Sequence, residues 1–255
     1  MDDDITDAGD AADDFRGQRL FVVADLAAGS EIELSREQAN YLLNVLRLDS
    51  GGRILVFNGR DGEWRAVLRR SGRRDASLAP IRQIRPQTKR SSLSYLFAPL
   101  KRTRLDYMVQ KATEMGASHM QPVMTQRTVA ERVNLDRMRA NVIEAAEQCG
   151  ILSVPDVASP TPLTRLLETW DVSCRLVFCD EGAPIRDPIA ALRALTPGPV
   201  AVLIGPEGGF SDAERAALTA VPQTVRISLG PRIMRADTAA VAALALVNAV
   251  LGDWR

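Results

Sequence analysis

Ala201-Val202-Leu203-Ile204 running into Gly205-Pro206-Glu207-Gly208-Gly209-Phe210, and Val225-Arg226-Ile227-Ser228-Leu229 running into Gly230-Pro231-Arg232, are the two halves of Val200–Arg235, the stretch that decides the fold. Each half is a short aliphatic or β-branched run cut off by Gly-Pro, the pattern of a buried strand that stops abruptly. Pro206 and Pro231 have no amide hydrogen to offer a neighbouring strand, so each ladder must end there. Gly208 and Gly209 allow positive φ and a close approach of backbone to ligand. Ser211-Asp212-Ala213-Glu214 reads as a capping box that opens a helix. Two such exits side by side in a parallel sheet predict a pocket built of backbone amides and carbonyls; two ordinary turns are the alternative.

Around that stretch the composition is that of a soluble globular chain: 255 residues, 46% hydrophobic and 25% charged, with a formal charge of zero. The zero hides an asymmetry. Residues 1–14 carry seven Asp and no base, whereas residues 47–104 hold 15 Lys or Arg against four acids. A basic region of this kind is a footprint for a polyanion, nucleic acid foremost, or a solvated basic surface. Met1-Asp2-Asp3-Asp4 is no secretory signal, and the longest apolar stretch, Ala239–Leu251, is too short for a bilayer; the expected location is the cytoplasm, without membrane attachment. Cys149, Cys174 and Cys179 with the single His119 show no zinc spacing, so no metal is expected, and a hydrolytic triad would depend on His119, which lies far from any nucleophile-elbow pattern.

Read in order, residues 1–15 are expected to be a disordered acidic tail. Arg19–Val23 starts the ordered chain as a strand, and Ser35-Arg36-Glu37-Gln38 caps a helix expected to run through Leu46. Arg53–Phe57 and Glu63–Leu68 flank a Gly-rich turn as a hairpin, and another strand lies near Ala76–Ile84. These make residues 16–85 a small β-rich, barrel-like domain, followed by a polar linker over 86–90. Beyond it strands alternate with helices: Leu93–Ala98, Thr103–Met115, His119–Met124, Leu135–Cys149, a Pro-rich loop, Arg175–Cys179, a helix opened by Asp187-Pro188, the two Gly-Pro strands, and Ala236–Leu251. That alternation predicts an α/β domain over 91–255 with a parallel sheet covered on both faces. No G-x-G-x-x-G follows the first strand and no G-x-x-x-x-G-K-[ST] occurs, so neither a dinucleotide fold nor a P-loop kinase is indicated.

Ile204–Ser211 and Leu229-Gly230-Pro231-Arg232-Ile233-Met234-Arg235-Ala236-Asp237-Thr238-Ala239 resemble the signature of the SPOUT (trefoil-knot) RNA methyltransferases, and within them the bacterial 16S ribosomal RNA uridine-N3 methyltransferase family. Tyr41–Leu48, Gln110–Gly116, Gln126-Arg127 and Glu144–Gly150 extend the resemblance along most of the chain. Asp237 stands where the family pattern has Glu, Ile151 where it has Arg, and Asn40 where it has His. The resemblance implies a knotted C-terminal domain (threading about 200–245), a PUA-like RNA-binding barrel in front, a homodimer, S-adenosylmethionine as methyl donor, and 16S rRNA of the small ribosomal subunit as partner. It also assigns roles. Leu203, Gly205, Pro206, Glu207, Gly208, Gly209, Leu229, Gly230, Ile233 and Met234 would hold the donor.

Uracil N3 carries a proton at neutral pH, so its methylation needs a base or an anion-stabilising group. Arg235 would stabilise the developing oxyanion, against a plain salt-bridge role; Glu207 or Asp237 would take the proton, against helix-cap or dimer-interface roles. Glu114 and Gln148 would shape the pocket or an interface. Arg47, Arg53, Arg60, Arg65, Arg69, Arg70, Lys101 and Arg102 are candidates for phosphate contacts, which give affinity and register rather than base choice. Two alternatives remain: the same fold acting on a ribose 2′-hydroxyl or another base of rRNA or tRNA, and an RNA-binding assembly factor without catalysis.

Overall fold

The computed structural model describes residues 17–72, 75–130, 132–184 and 187–254. The expected acidic tail, 1–15, lies outside them. The chain divides into two compact units, one of residues 1–89 with 146–153, the other of 90–145 with 154–255.

The first unit is built on a sheet of five strands among the described residues: β1 (Arg19–Phe21), β2 (Ile32–Glu33), β3 (Arg53–Phe57), β4 (Glu63–Arg70) and β5 (Ala76–Arg85), in the order β1-β3-β4-β5-β2. β1 runs parallel to β3, and the expected β3–β4 hairpin is antiparallel, Phe57 opposite Glu63. The ladder between β4 and β5 slips twice, between Glu63 and Trp64 and between Arg65 and Ala66, where Ala66 faces Pro80. A proline cannot donate to its neighbour, and an irregularity is where a sheet accommodates one. Helix α1 (Arg36–Asn40) carries the expected cap, the Ser35 side chain accepting from the Gln38 amide and Gln38 reaching back to the Ser35 amide. The helix does not continue as expected. Tyr41–Val45 widens into a π-helical turn, with the Leu46 amide donating to the Tyr41 carbonyl, and the chain leaves it through Arg47 at φ 54°. The wider turn lets Tyr41, Leu42, Leu43, Leu46 and Leu48 all pack on the same core, which a 3.6-residue period would not. Beneath lies a buried ion cluster: Glu63 (1% exposed) accepts from Arg19 Nε at 2.8 Å and Arg85 Nε at 2.6 Å.

The second unit holds a parallel sheet: β6 (Leu93–Phe97), β7 (His119–Met124), β8 (Asp156–Val157), β10 (Arg175–Cys179), β11 (Val200–Ile204) and β12 (Thr224–Ile227), ordered β12-β10-β11-β6-β7-β8, with the short β9 (Thr161–Pro162) also paired to β7. Its helices are α2 (Arg102–Glu114), α3 (Leu135–Cys149, of which residues 135–145 belong to this unit), α4 (Leu163–Glu168), α5 (Pro188–Arg193), α6 (Asp212–Ala220) and α7 (Ala236–Val250). Strand periodicity divides the apolar side chains between two faces. Tyr95, Phe97, Val177, Val202 and Ile204 join residues of α2, α3, α5 and α7 in one cluster. Leu96, Leu176, Phe178, Ala201 and Leu203 join Leu163 of α4 and Leu218 of α6 in the other. Both faces are therefore covered, as the alternation of strands and helices predicts. The Pro-rich stretch read as loop contributes β8, β9 and α4; Pro162 precedes the first turn of α4, where a missing amide hydrogen costs nothing.

A cavity at three strand exits

The two Gly-Pro strands are not neighbours. β10 lies between them, pairing with β11 from Arg175↔Val200 to Cys179↔Ile204 and with β12 from Leu176↔Thr224 to Cys179↔Ile227. This corrects the side-by-side expectation: strand order is set by crossovers, and the chain enters β10 before either Gly-Pro strand. The carboxyl ends of all three strands open into one cavity of about 430 Å³, within the ~300–1,000 Å³ of small-molecule sites.

Each wall follows from local sequence. After β11, Pro206 ends the ladder, the Gly209 amide closes a turn on the Pro206 carbonyl at 2.9 Å, and Gly209 takes φ 69°. Phe210 then buries itself edge-on against Phe178, ring centroids 5.1 Å apart, and Ser211 caps α6. Glu214 works twice: its Oε2 accepts from the Ser211 amide, and its Oε1 from the Gln126 amide, which ties the exit of β7 to this loop. Beside it Arg127 Nη1 donates to the Gly208 carbonyl at 2.8 Å. After β12, Gly230 adopts φ 115°, and Leu229, Arg232, Ile233, Met234 and Arg235 run along the opposite wall into α7. Ile233 is 90% exposed, an apolar side chain held out at the lip.

The third wall, the exit of β10, was not read as part of the site. Cys179, Asp180 and Glu181 line it. Asp180, 1% exposed at its side chain, accepts from Arg226 Nε at 2.8 Å and Arg215 Nε at 3.2 Å, so it fastens β10 to β12 and α6. Burial pushes the Cys179 thiol up to about 12, which keeps it protonated. The Tyr95 hydroxyl, buried and with no hydrogen-bond partner among the described residues, is pushed well above its ordinary value by burial first, then by Cys179 and Asp237.

Of the residues assigned to the donor, Gly205, Pro206, Glu207, Gly208, Gly209, Leu229, Gly230, Ile233 and Met234 line the cavity. Leu203 does not; its side chain is buried in the second cluster, and Ile204 takes the lining position. Of the three residues expected to carry the chemistry, Arg235 and Glu207 border the cavity. Arg235 occupies the cap position of α7 with its side chain 69% exposed, and its nearest carboxylate, Asp237 Oδ1, is 4.0 Å away. Glu207 forms an ion pair with Arg104 of α2, a residue the sequence reading passed over. Asp237 sits in the first turn of α7, 14% exposed, accepting from the Thr238 amide, and does not line the cavity. Glu114 pairs with Lys111 along α2, and Gln148 is exposed on α3.

The basic residues expected to meet phosphate are exposed at Arg47, Arg53, Arg60, Arg69 and Arg70 of the first unit and at Lys101 and Arg102 of the second. Arg60 already donates to Asp25 at 2.7 Å. Arg65 departs from the expectation: at 9% exposure it is withdrawn from solvent, on the same face of β4 as the buried Glu63.

Residues 87–248 match the family model of the RNA methyltransferase domain, and residues 34–81 that of the RNA methyltransferase PUA domain. The ribosomal RNA small subunit methyltransferase E of Rickettsia conorii is 30% identical over 90% of this chain and 94% of its own length. A Legionella pneumophila structure described as a methyltransferase with bound SAM superposes at a TM-score of 0.79, 26% identical over 93% of this chain and 99% of that one. The ribosomal RNA small subunit methyltransferase E of Neisseria gonorrhoeae, 23% identical over 94% and 100% of the two chains, shares the fold at a TM-score of 0.84. A family model over most of the chain and a relative matched nearly end to end agree with the cavity at the strand exits: this protein belongs to the ribosomal RNA small subunit methyltransferase E family, with an RNA methyltransferase domain and a PUA domain.

Proposed function

We infer that the protein transfers a methyl group from S-adenosylmethionine to N3 of a uridine in 16S rRNA of the small ribosomal subunit, acting in the cytoplasm as a homodimer. The residues present suit an adenosyl donor. A Cβ on Gly205 would stand 2.4 Å from the Phe210 ring, so only glycine keeps that wall open. Leu229, Ile233, Met234 and Ala236 offer apolar surface to a purine, and Glu181 and Glu207 bring negative charge to a cationic ligand. Bound there, the donor would supply an electrophilic methyl group. What this chain adds is alignment, an effect worth up to ~7–11 kcal/mol, and charge placed where the uracil anion develops.

The observation that carries the reading is Arg235, an exposed guanidinium on the cavity wall with no hydrogen bond among the described residues. It stabilises the uracil oxygen as N3 loses its proton. Glu207, half-exposed at the cavity, takes that proton at its carboxylate, while Asp237 faces Arg235 from the first turn of α7 and orients it. Exposed arginines of both units hold the RNA by its phosphates, Arg65 excepted. Support for a dimer comes from α7, whose Val241, Ala242 and Ala245 remain only partly covered, an apolar face that a second copy would shield. No described helix is long and apolar enough to cross a membrane.

The test has two parts. Nucleoside mass spectrometry of rRNA from a deletion strain is expected to lose 3-methyluridine alone; loss of a ribose-methylated nucleoside instead would refute the base assignment. In the purified protein, Arg235→Ala is expected to lower kcat by about 100-fold or more with little change in donor Kd. An equal fall in both would place Arg235 in binding.

A further inference from the structure

β10 stands between the two Gly-Pro strands, and its exit delivers a carboxylate that neither the family signature nor the sequence reading marked. Three acids line the cavity, and they differ in how far they are committed. Asp180 is engaged by Arg215 and Arg226, and Glu207 by Arg104. Glu181 is 62% exposed, and among the described residues it makes one long contact, 3.4 Å from Arg215 Nη2. Its Oε1 lies against the Gly208-Gly209 turn, since a Cβ on Gly209 would come within 3.4 Å of it. The carboxylate is thus held at the cavity wall between the apolar 229–236 segment and the glycine turn, with acceptor capacity to spare.

Resting on the donor reading above, we propose that Glu181 recognises the ribose of the adenosyl donor, its two oxygens accepting from the vicinal 2′- and 3′-hydroxyls. Two acceptor oxygens on one carbon match two adjacent O–H donors, as in parallel α/β sheets whose strand-end carboxylate holds a nucleoside ribose. A flat purine then lies along Leu229, Ile233 and Met234, and the sugar falls beside the central strand. Glu181 is a specificity residue: it selects ribonucleoside donors and takes no part in moving the proton.

The experiment is calorimetry on the full chain, wild type and Glu181→Gln, with S-adenosylhomocysteine and its 2′-deoxy analogue. Glu181 is exposed, so the ligand-free variant should unfold at the wild-type temperature. A charge-assisted hydrogen bond sets the expected size, about 10- to 100-fold in Kd. Glu181→Gln should weaken S-adenosylhomocysteine by that factor, the deoxy analogue should bind the wild type about as weakly, and the two losses should not add. Equal weakening of both ligands by the substitution would assign Glu181 to the amino-acid end and overturn the proposal. Unchanged binding of S-adenosylhomocysteine to the variant would overturn it while leaving the donor reading intact. Absence of binding to the wild type would remove the donor reading itself.

Discussion

Gly205→Ala isolates the packing that keeps the donor wall open. Gly205 is not among the residues with positive φ, so alanine fits its backbone and the whole penalty is steric. The added Cβ would meet Phe210 Cε2 at 2.4 Å and Cδ2 and Cζ at 3.0 Å, roughly 1 Å inside ordinary contact. The ring cannot swing aside freely: Phe210 is 2% exposed, set edge-on to Phe178 at 87°, and surrounded by Leu203 and Leu218. Overpacking of this kind costs about 1–3 kcal/mol, and losing the edge contact adds about 0.5–1.5. At about 2–4 °C per kcal/mol for a chain of this size, Tm should fall by roughly 3–18 °C. Phe210→Leu alone leaves a void, at less than the ~3–5 kcal/mol of a truncation to alanine. Together the two changes relieve each other, so the double variant should be at least ~1 kcal/mol more stable than the sum predicts. Urea denaturation measures the cycle, and calorimetry with S-adenosylhomocysteine should show weaker binding in Gly205→Ala. Additivity within ~0.5 kcal/mol would refute the claim that this contact shapes the wall.

Asp180→Ala strips the shared partner from Arg215 and Arg226. Losing one side of a buried ion cluster costs about 3–5 kcal/mol, and the lower end applies because both arginines keep over a quarter of their side chains in water. A denaturation midpoint within ~0.5 kcal/mol of wild type would show that the cluster holds nothing together. For Cys179 the folded state favours the neutral thiol, so the unfolded chain releases its proton first, near 9, and the folded one only near 12. The stabilisation is complete below pH 9 and is lost as pH climbs toward 12; Cys179→Ala should flatten stability over that window. At pH 8 a thiol reagent should modify the exposed Cys149 well before Cys179, and the reverse order would contradict the burial of the latter.

Local chemistry was legible wherever it is local. The capping boxes at Ser35 and Ser211, the Asp187 cap with Pro188 behind it, and the stop at Gly205-Pro206 each depend on residues within a turn, and each is realised, whereas β12 already ends at Ile227, ahead of Gly230-Pro231. What stayed hidden depends on crossovers and register. Nothing in Arg175–Glu181 announces that β10 divides the two Gly-Pro strands, so the Asp180 cluster and Glu181 were missed. Arg65 reads as an exposed position because nothing in the sequence shows that the second face of β4, which it shares with Glu63, is buried too. Arg104 and Glu207 lie 103 residues apart, and only the packing of α2 brings them together. The π-helical turn escaped because Tyr41–Val45 satisfies a helical period nearly as well as the wider one.

The arginines around the cavity separate by what already holds them. Arg215 and Arg226 are spent on Asp180, Arg127 on the Gly208 carbonyl, and Arg104 on Glu207. Each of these fixes a wall, since each joins a strand exit to a different element. Arg232 and Arg235 make no hydrogen bond among the described residues, and both stand on the β12 exit. A guanidinium that must meet charge arising only during a reaction gains nothing from a strong partner beforehand, because that partner would have to be displaced at the moment it is needed. Asp237 at 4.0 Å is near enough to orient Arg235 and too far to claim it. The same reasoning separates the acids: Asp180 is buried and doubly paired and so belongs to the scaffold, Glu207 shares its charge with Arg104, and Glu181, exposed at the cavity with one long contact, belongs to whatever enters it.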